Sequence, residues 1–275
     1  MNAHLLVIAH LELIAAARLK WIRLLTAAFA LLAAAAAYSA GVANDLSGAD
    51  GFARTTMALV PVVLILVPLS ALILGVSSQT AEPGSEGFLF SQPVSRAAVL
   101  IGRWLGESIA LAGSLGIGFG LGAVVVALGS GTEGLAPFVF FVSAAVALAM
   151  IFLSIAAAIA AATEKRIVAL GIGIFVWFLL VLLYDGVALS FAGWLTGPRG
   201  GRVLFASVFG NPADLIRVLT LLIAGTPNVL GAAGEAWLRF LGGTTGAAIA
   251  AIGALLAWLI APLVLGVRLI HARDL

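Results

Sequence analysis

Residues 137–162, PFVFFVSAAVALAMIFLSIAAAIAAA, decide the fold, because this whole stretch contains no charged side chain. About 20 consecutive apolar residues are enough for a helix to cross the hydrocarbon core of a bilayer. The full chain of 275 residues is 63% hydrophobic and only 9% charged, and its mean hydropathy is +1.21. These values predict an integral membrane protein, because a water-soluble domain carries far more charge on its surface.

The predicted fold is an all-α membrane protein with six transmembrane helices, because five further stretches are also long and apolar enough to span a bilayer. The predicted spans are Ile22–Ala40, Thr56–Ser78, Glu107–Leu128, Pro137–Ala162, Val168–Phe191 and Thr245–Val267. We also predict an interfacial helix over residues 3–20, a short cytoplasmic helix between spans two and three, and short outer helices between spans five and six. Residues 1–275 would form a single transmembrane domain, with a cytoplasmic segment at residues 79–103 and an outer segment at residues 186–244.

The Lys and Arg side chains predict the orientation, because cytoplasmic loops carry an excess of them. Nine of the 14 fall on one side of the predicted membrane, and these are Arg18, Lys20, Arg23, Arg96, Arg103, Lys165, Arg166, Arg268 and Arg273. The longer loops of the other side share the remaining five, which are Arg54, Arg199, Arg202, Arg217 and Arg239. We therefore predict a multi-pass protein with both termini in the cytoplasm. A cleaved signal peptide ending before Gly41 is the alternative, but its charged n-region would be too long.

Several kinds of chemistry are excluded by composition. The chain has no Cys, which excludes disulfides and sulfur-based metal sites, and its three His residues lie near the termini, so no metal site is predicted. No basic cluster suits nucleic acid. Neither Lys20 nor Lys165 lies in a phosphate-binding loop, so the chain cannot hydrolyse ATP by itself. Motifs for intramembrane proteolysis are missing too, and we predict no catalytic residue and no enzyme activity.

Ionisable residues are absent from the middle of every predicted span. Glu107 and Asp185 are expected at span ends, where water can reach them. Carriers driven by proton or sodium gradients place such residues within the membrane, so gradient-driven transport is disfavoured. Energy for any active process would therefore come from another polypeptide.

A polar segment between spans two and three, EPGSEGFLFSQPVSR at Glu82–Arg96, is the predicted surface for that polypeptide. It contains Phe88, Leu89 and Phe90, apolar side chains in an otherwise polar loop. Aromatic side chains of this kind are typical anchors in a partner's pocket. The alternative is that these side chains fold back into the membrane interface.

Six spans, the N-terminal elbow helix and the sequence Glu86-Gly87 running on to Gln92-Pro93-Val94-Ser95-Arg96 resemble the type-2 ABC transporter permeases. The resemblance implies that the segment is a coupling helix in a cleft of a cytoplasmic ABC ATPase subunit, which would bind ATP and Mg while this chain binds no cofactor. It further implies a homodimer in the bilayer of a bacterial inner membrane. The residues it assigns to ATPase coupling are Glu82, Glu86, Gly87, Phe88, Leu89, Phe90, Gln92, Pro93 and Arg96. Phe88 stands where threonine is usual in that family.

An outer helix is predicted to begin at Asn211-Pro212-Ala213-Asp214-Leu215-Ile216-Arg217, because Asn caps a helix, Pro suits its first position and Asp its first turn. This segment, with Tyr184-Asp185-Gly186, resembles a branch of the family that also pairs with a periplasmic β-helical protein. That branch helps to assemble the copper sites of nitrous oxide reductase. The residues predicted to contact an outer partner or to form a gate are Asp185, Asn211, Pro212, Asp214 and Arg217. The alternative is that the outer segment closes the helix bundle and contacts no partner.

Three functions stay open at this point. The first is a permease subunit that transmits ATP-driven motion toward copper-site maturation, without conducting ligated copper, since Met57 and Met150 are the only soft ligands beyond the initiator. The second is an exporter permease for a lipid, drug or polysaccharide. The third is a structural membrane anchor for a periplasmic protein.

Glycines in the third predicted span repeat at small-xxx-small spacing, as Gly116 with Gly120 and Gly118 with Gly122. This spacing lets two helices approach closely. The close contact could lie inside one bundle or at the seam of a dimer.

Overall fold

The computed structural model describes residues 2–41, 48–80, 95–163, 165–195, 198–223, 238 and 240–272. These residues contain ten α-helices and no β-strand. The helices are α1 (Asn2–Arg18), α2 (Lys20–Ala36), α3 (Gly48–Gln79), α4 (Arg96–Ser130), α5 (Leu135–Ala162), α6 (Arg166–Trp177), α7 (Tyr184–Trp194), α8 (Pro198–Ser207), α9 (Pro212–Ile223) and α10 (Thr244–Ala272). A π-helical turn, Phe178–Leu183, joins α6 to α7. The all-α prediction is confirmed over the described residues.

Six of these helical stretches are long and apolar enough to cross a membrane. They are Lys20–Ser39, Ala49–Gln79, Arg96–Gly129, Leu135–Ala162, Arg166–Trp194 and Thr244–Ala272. The prediction of six spans is therefore confirmed. The helix predicted over residues 3–20 is present as α1, and its position at the membrane interface stays a prediction.

The helix of the third span begins before the predicted start of that span. α4 begins at Arg96, not at Glu107, and the hydroxyl of Ser95 caps it by accepting a hydrogen bond from the Ala98 amide at 3.3 Å. The charges of Arg96 and Arg103 lower the hydropathy of the first turns of α4, so these turns were not included in the predicted span. Glu107 consequently lies well inside a long helix.

The fifth span shows a similar difference at Asp185. The π-helical turn carries the helix past this residue as far as Trp194, so Asp185 lies in the first turn of α7. The expectation that it lies at the membrane end of the span, where water can reach it, stays a prediction, and its side chain is 49% exposed. Wide π turns of this kind often occur at functional positions in helices.

The α5 helix is the centre of the bundle. It packs against α3, α4, α9 and α10, and most of its side chains are buried. Its many alanines allow these neighbours to approach closely, as expected where helices meet without the help of water. The charge-free sequence of α5 is thus the common packing surface of the fold.

A run of phenylalanine rings crosses the bundle from α2 to α3. Phe29 contacts Phe119, Phe119 contacts Phe141, Phe141 contacts Phe138, and Phe138 contacts Phe52, with ring centroids 5.4 to 5.9 Å apart. These tilted pairs are a favourable geometry for aromatic rings. All five rings are almost fully buried, so they tie four helices together in one core.

Glycine pairs of α4 have two different environments. A Cβ added to Gly118 would lie 2.7 Å from Cβ of Phe29, and one added to Gly122 would lie 2.7 Å from Cβ of Ala33. Gly116 and Gly120 have nothing within 4 Å of that position. Gly118 and Gly122 therefore allow α4 to pack closely against α2 inside the bundle. A dimer seam at Gly116 and Gly120 stays a prediction.

This difference makes Gly122→Ala and Gly120→Ala a matched test of the packing. We expect Gly122→Ala to lower stability by about 1–3 kcal/mol through overpacking. Gly120→Ala should be neutral or stabilising by up to about 1 kcal/mol, because Ala is the better helix former. Equilibrium unfolding of the two variants in mixed detergent micelles measures this, and equal effects at both positions would contradict the described packing.

Candidate functional site

The predicted coupling segment lies mostly outside the described residues. This applies to eight of the nine residues assigned to ATPase coupling, namely Glu82, Glu86, Gly87, Phe88, Leu89, Phe90, Gln92 and Pro93. The ninth, Arg96, is the first residue of α4. Their role stays a prediction, and the structure describes the two helices that enter and leave the segment.

Those two helices, α3 and α4, are joined directly beside the segment. The side-chain amide of Gln79 donates a hydrogen bond to the Leu100 carbonyl at 3.3 Å, and Nη1 of Arg103 donates to the Ser78 carbonyl at 2.9 Å. Ser78 lies in the last turn of α3, where helix carbonyls have no partner within the helix. A guanidinium at that position also suits the negative end of the helix dipole.

The N-terminal helix α1 is packed onto the same place. A Cβ added to Gly106 of α4 would lie 2.6 Å from the Ala9 carbonyl oxygen, and one added to Gly102 would lie 2.8 Å from Cγ2 of Ile8. The two glycines thus let α1 lie directly against α4. The helices α1, α3 and α4 meet at the ends that flank residues 81–94.

A polar group between these helices, which we call the inner cluster, consists of Glu12, Ser78, Arg103 and Glu107. The Ser78 hydroxyl donates to Oε1 of Glu12 at 2.8 Å, and Nε of Arg103 lies 3.9 Å from Oε2 of Glu12. Glu107 has 0% of its surface exposed. Sequence reasoning missed this cluster, although Glu12 is the one acidic residue of the apolar helix α1 and could have drawn attention to it.

The residues predicted at the outer side come together in a second group, the outer cluster. The side chain of Asn211 caps α9, because its Oδ1 accepts a hydrogen bond from the Ala213 amide at 3.0 Å. Its amide nitrogen donates to the Leu180 carbonyl at 2.9 Å and to Oδ2 of Asp214 at 3.1 Å. Pro212 is the first residue of α9, as predicted. One side chain therefore links the start of α9 to the π-helical turn of span five.

Arg217 connects α9 to span five through its charge. Its Nη2 donates a hydrogen bond to Oδ2 of Asp185 at 2.9 Å, and the same atom lies 2.9 Å from Oδ1 of Asp214, a close ion pair without hydrogen-bond geometry. The Asp214 side chain is only 12% exposed, whereas those of Arg217 and Asp185 are 39% and 49% exposed. Their role as a gate or a partner surface stays a prediction.

Short helices do precede the last span, as the sequence predicted. The stretch Arg199–Gly210 meets Pro212–Ile223 at a bend of 100°. Within this bent unit α8 packs against α7, whereas α9 packs against α5 and α10. Trp258 of α10 fixes the corner, because its indole nitrogen donates to the Phe209 carbonyl at 3.0 Å. The rest of the predicted outer segment, from residue 224 to residue 237, lies outside the described residues.

Asn211→Ala tests the outer cluster. The variant loses the helix cap and leaves the Leu180 carbonyl without its donor, so we expect a loss of about 1–2 kcal/mol in stability. Asn211→Ser is the matched control, because it keeps a capping oxygen and should recover part of the loss. Thermal unfolding of the purified protein measures both, and an Ala variant as stable as the original chain would contradict this geometry.

Comparison with known proteins gives one family and two relatives. Residues 6–275 match the family described as ABC-2 family transporter protein. Over 220 residues the chain is 28% identical to the "Probable ABC transporter permease protein NosY" of Stutzerimonas stutzeri and 30% identical to the protein of the same name from Pseudomonas aeruginosa. Each match covers 78% of this chain and 80% of the relative.

Proposed function

Because the chain belongs to the ABC-2 transporter family, as a permease subunit of the NosY type, we propose that it couples ATP hydrolysis in a partner ATPase to maturation of a periplasmic copper enzyme. The enzyme would be nitrous oxide reductase, as the resemblance of the outer segment implies. The partners would be a cytoplasmic ABC ATPase, a second copy of this chain and a periplasmic β-helical protein. The chain would lie in a bacterial inner membrane with both termini in the cytoplasm.

The observation that carries this proposal is the continuous helical path from the coupling segment across the bundle. α3 has 32 residues and α4 has 35. At 1.5 Å per residue these helices are about 48 and 52 Å long, which exceeds the thickness of the hydrocarbon core. A displacement applied to residues 81–94 would therefore be passed along both helices, and to α1 with them.

Contacts of α5 with α9 would carry this motion to the outer segment. α5 packs against α3 and α4 and also against α9. A shift of α3 and α4 would therefore reach the outer segment through α5. The Arg217–Asp185 ion pair and the Asn211–Leu180 hydrogen bond join α9 to span five. Motion of α9 against span five would change the surface that the outer segment offers to a partner.

Copper itself would not travel along this chain. Cys is absent, and Met57 and Met150 are the only methionines after the first residue, so soft ligands for Cu(I) are scarce. This favours transmission of motion to an outer partner, or movement of a species that needs no soft ligand.

The test is Phe88→Asp in the complete complex, with Ser85→Asp as the matched control in the same polar segment. A buried unpaired charge costs about 3–5 kcal/mol, so we expect the Phe88 variant to bind the ATPase at least about 100-fold more weakly. Co-purification of the ATPase and the copper content of the reductase from the same cells are the measurements. Ser85→Asp should retain both properties. A Phe88 variant with full copper content would contradict coupling and favour the structural anchor.

An exporter of apolar molecules is the second candidate, and one feature favours it. A cavity of about 230 Å³ lies between α5, α9 and α10, lined by apolar side chains such as Phe140, Met150, Leu219 and Leu256. A lipid chain or an apolar drug would suit such a surface. If this candidate holds, added lipid or drug should stimulate ATP hydrolysis of the reconstituted complex, whereas the leading proposal expects no stimulation.

A further inference from the structure

Glu107 occupies a place where an ionised carboxylate is costly. Its surface is fully buried, and among the described residues neither carboxylate oxygen has a hydrogen-bond partner. A Cβ on Gly75 of α3 would be 3.5 Å from Oε2 of Glu107, so the carboxyl group lies against the bare backbone of α3. Burial of a charge without a partner carries a large free-energy penalty, which a carboxyl group avoids by holding a proton.

The polar side chains near Glu107, which are Ser78 and Arg103, make their contacts with Glu12 and with the backbone. Ser78 lies close to Glu107, yet its hydroxyl hydrogen bonds to Oε1 of Glu12. Arg103 donates to the Ser78 carbonyl and faces Oε2 of Glu12. The inner cluster therefore contains two carboxyl groups, Glu12 and Glu107, and one cation. This cation, Arg103, lies beside Glu12, the more exposed of the two.

The described residues of α3 and α5 supply no further charge near Glu107. α5 has no ionisable residue, and the charged residues of α3, Asp50 and Arg54, lie near its opposite end. From α1 the facing ionisable group is Glu12, and from α4 it is Arg103. A proton can therefore neutralise the carboxyl group of Glu107. A metal ion is disfavoured there, because the positive charge of Arg103 would repel it.

We propose that Glu107 is a proton-binding site of the inner cluster, and that loss of its proton transfers Arg103 from Glu12 to Glu107. In the conformation described, Glu107 holds the proton and Arg103 faces Glu12. On release the O–H bond breaks, the proton passes to water at the Glu12 side, where the side chain is 21% exposed, and Glu107 becomes a carboxylate. Arg103 then compensates the new charge and gives up its contacts to Glu12 and the Ser78 carbonyl.

The consequence is a link between protonation and the position of α1. Arg103 bridges α4 to α1 and to the end of α3 only while Glu107 is neutral. Deprotonation would loosen α1 from the helices beside the coupling segment. This site goes beyond ATPase coupling and does not depend on it, because it concerns the isolated chain.

The test is infrared spectroscopy of the purified full chain in lipid nanodiscs at neutral pH, comparing the original chain with Glu107→Gln and Glu12→Gln. We expect an absorption band of a protonated carboxyl group that is lost in the Glu107 variant and kept in the Glu12 variant. Glutamine matches glutamate in size; Glu107→Met gives the same comparison if the first variant does not fold. Identical bands in the original chain and the Glu107 variant would overturn the proposal, and so would loss of the band in the Glu12 variant.

A distance measurement tests the transfer of Arg103. The chain has no Cys, so spin labels can be placed at Leu6→Cys on α1 and Ile167→Cys on α6, two exposed positions, without background labelling. We expect the distance to change between acidic and alkaline pH in the original sequence and to stay constant with Glu107→Gln. A constant distance in both, or the same change in both, would overturn the transfer. Neither experiment involves the ATPase, so their failure leaves the proposed coupling intact.

Discussion

One arginine side chain holds the inner end of the bundle together. Arg103 donates to the Ser78 carbonyl of α3 and faces Glu12 of α1, while it belongs to α4. A charged side chain inside so apolar a chain needs partners, and here two helices provide them. The three helices that Arg103 joins therefore behave as one unit, and the function proposed for this chain depends on that unit.

The six spans could be predicted from sequence because their length and lack of charge satisfy a simple physical requirement. The start of α9 was also predictable, since Asn211 and Pro212 are local signals of a helix start. The surroundings of Glu107 could not be predicted. Hydropathy along the chain does not show that Arg103 finds a counter-charge at Glu12, which is 91 positions away, so the first turns of α4 and the inner cluster were missed.

Small residues show the same limit. Sequence spacing identified two glycine pairs in α4 but could not tell which of them meets another helix. The structure assigns Gly118 and Gly122 to contact with α2, because α2 presents Phe29 and Ala33 there. Local sequence thus predicts elements and caps, whereas contacts between distant helices decide which side chains share a site.

The function proposed for this chain requires that motion passes from the ATPase side to the outer cluster. Spin labels at Leu189→Cys in α7 and Ile223→Cys in α9 would report this motion in the complex with the proposed ATPase. We expect ATP binding to change the distance between the labels and hydrolysis to restore it. A distance that stays the same throughout the ATPase cycle, in a complex that hydrolyses ATP, would contradict the proposed function.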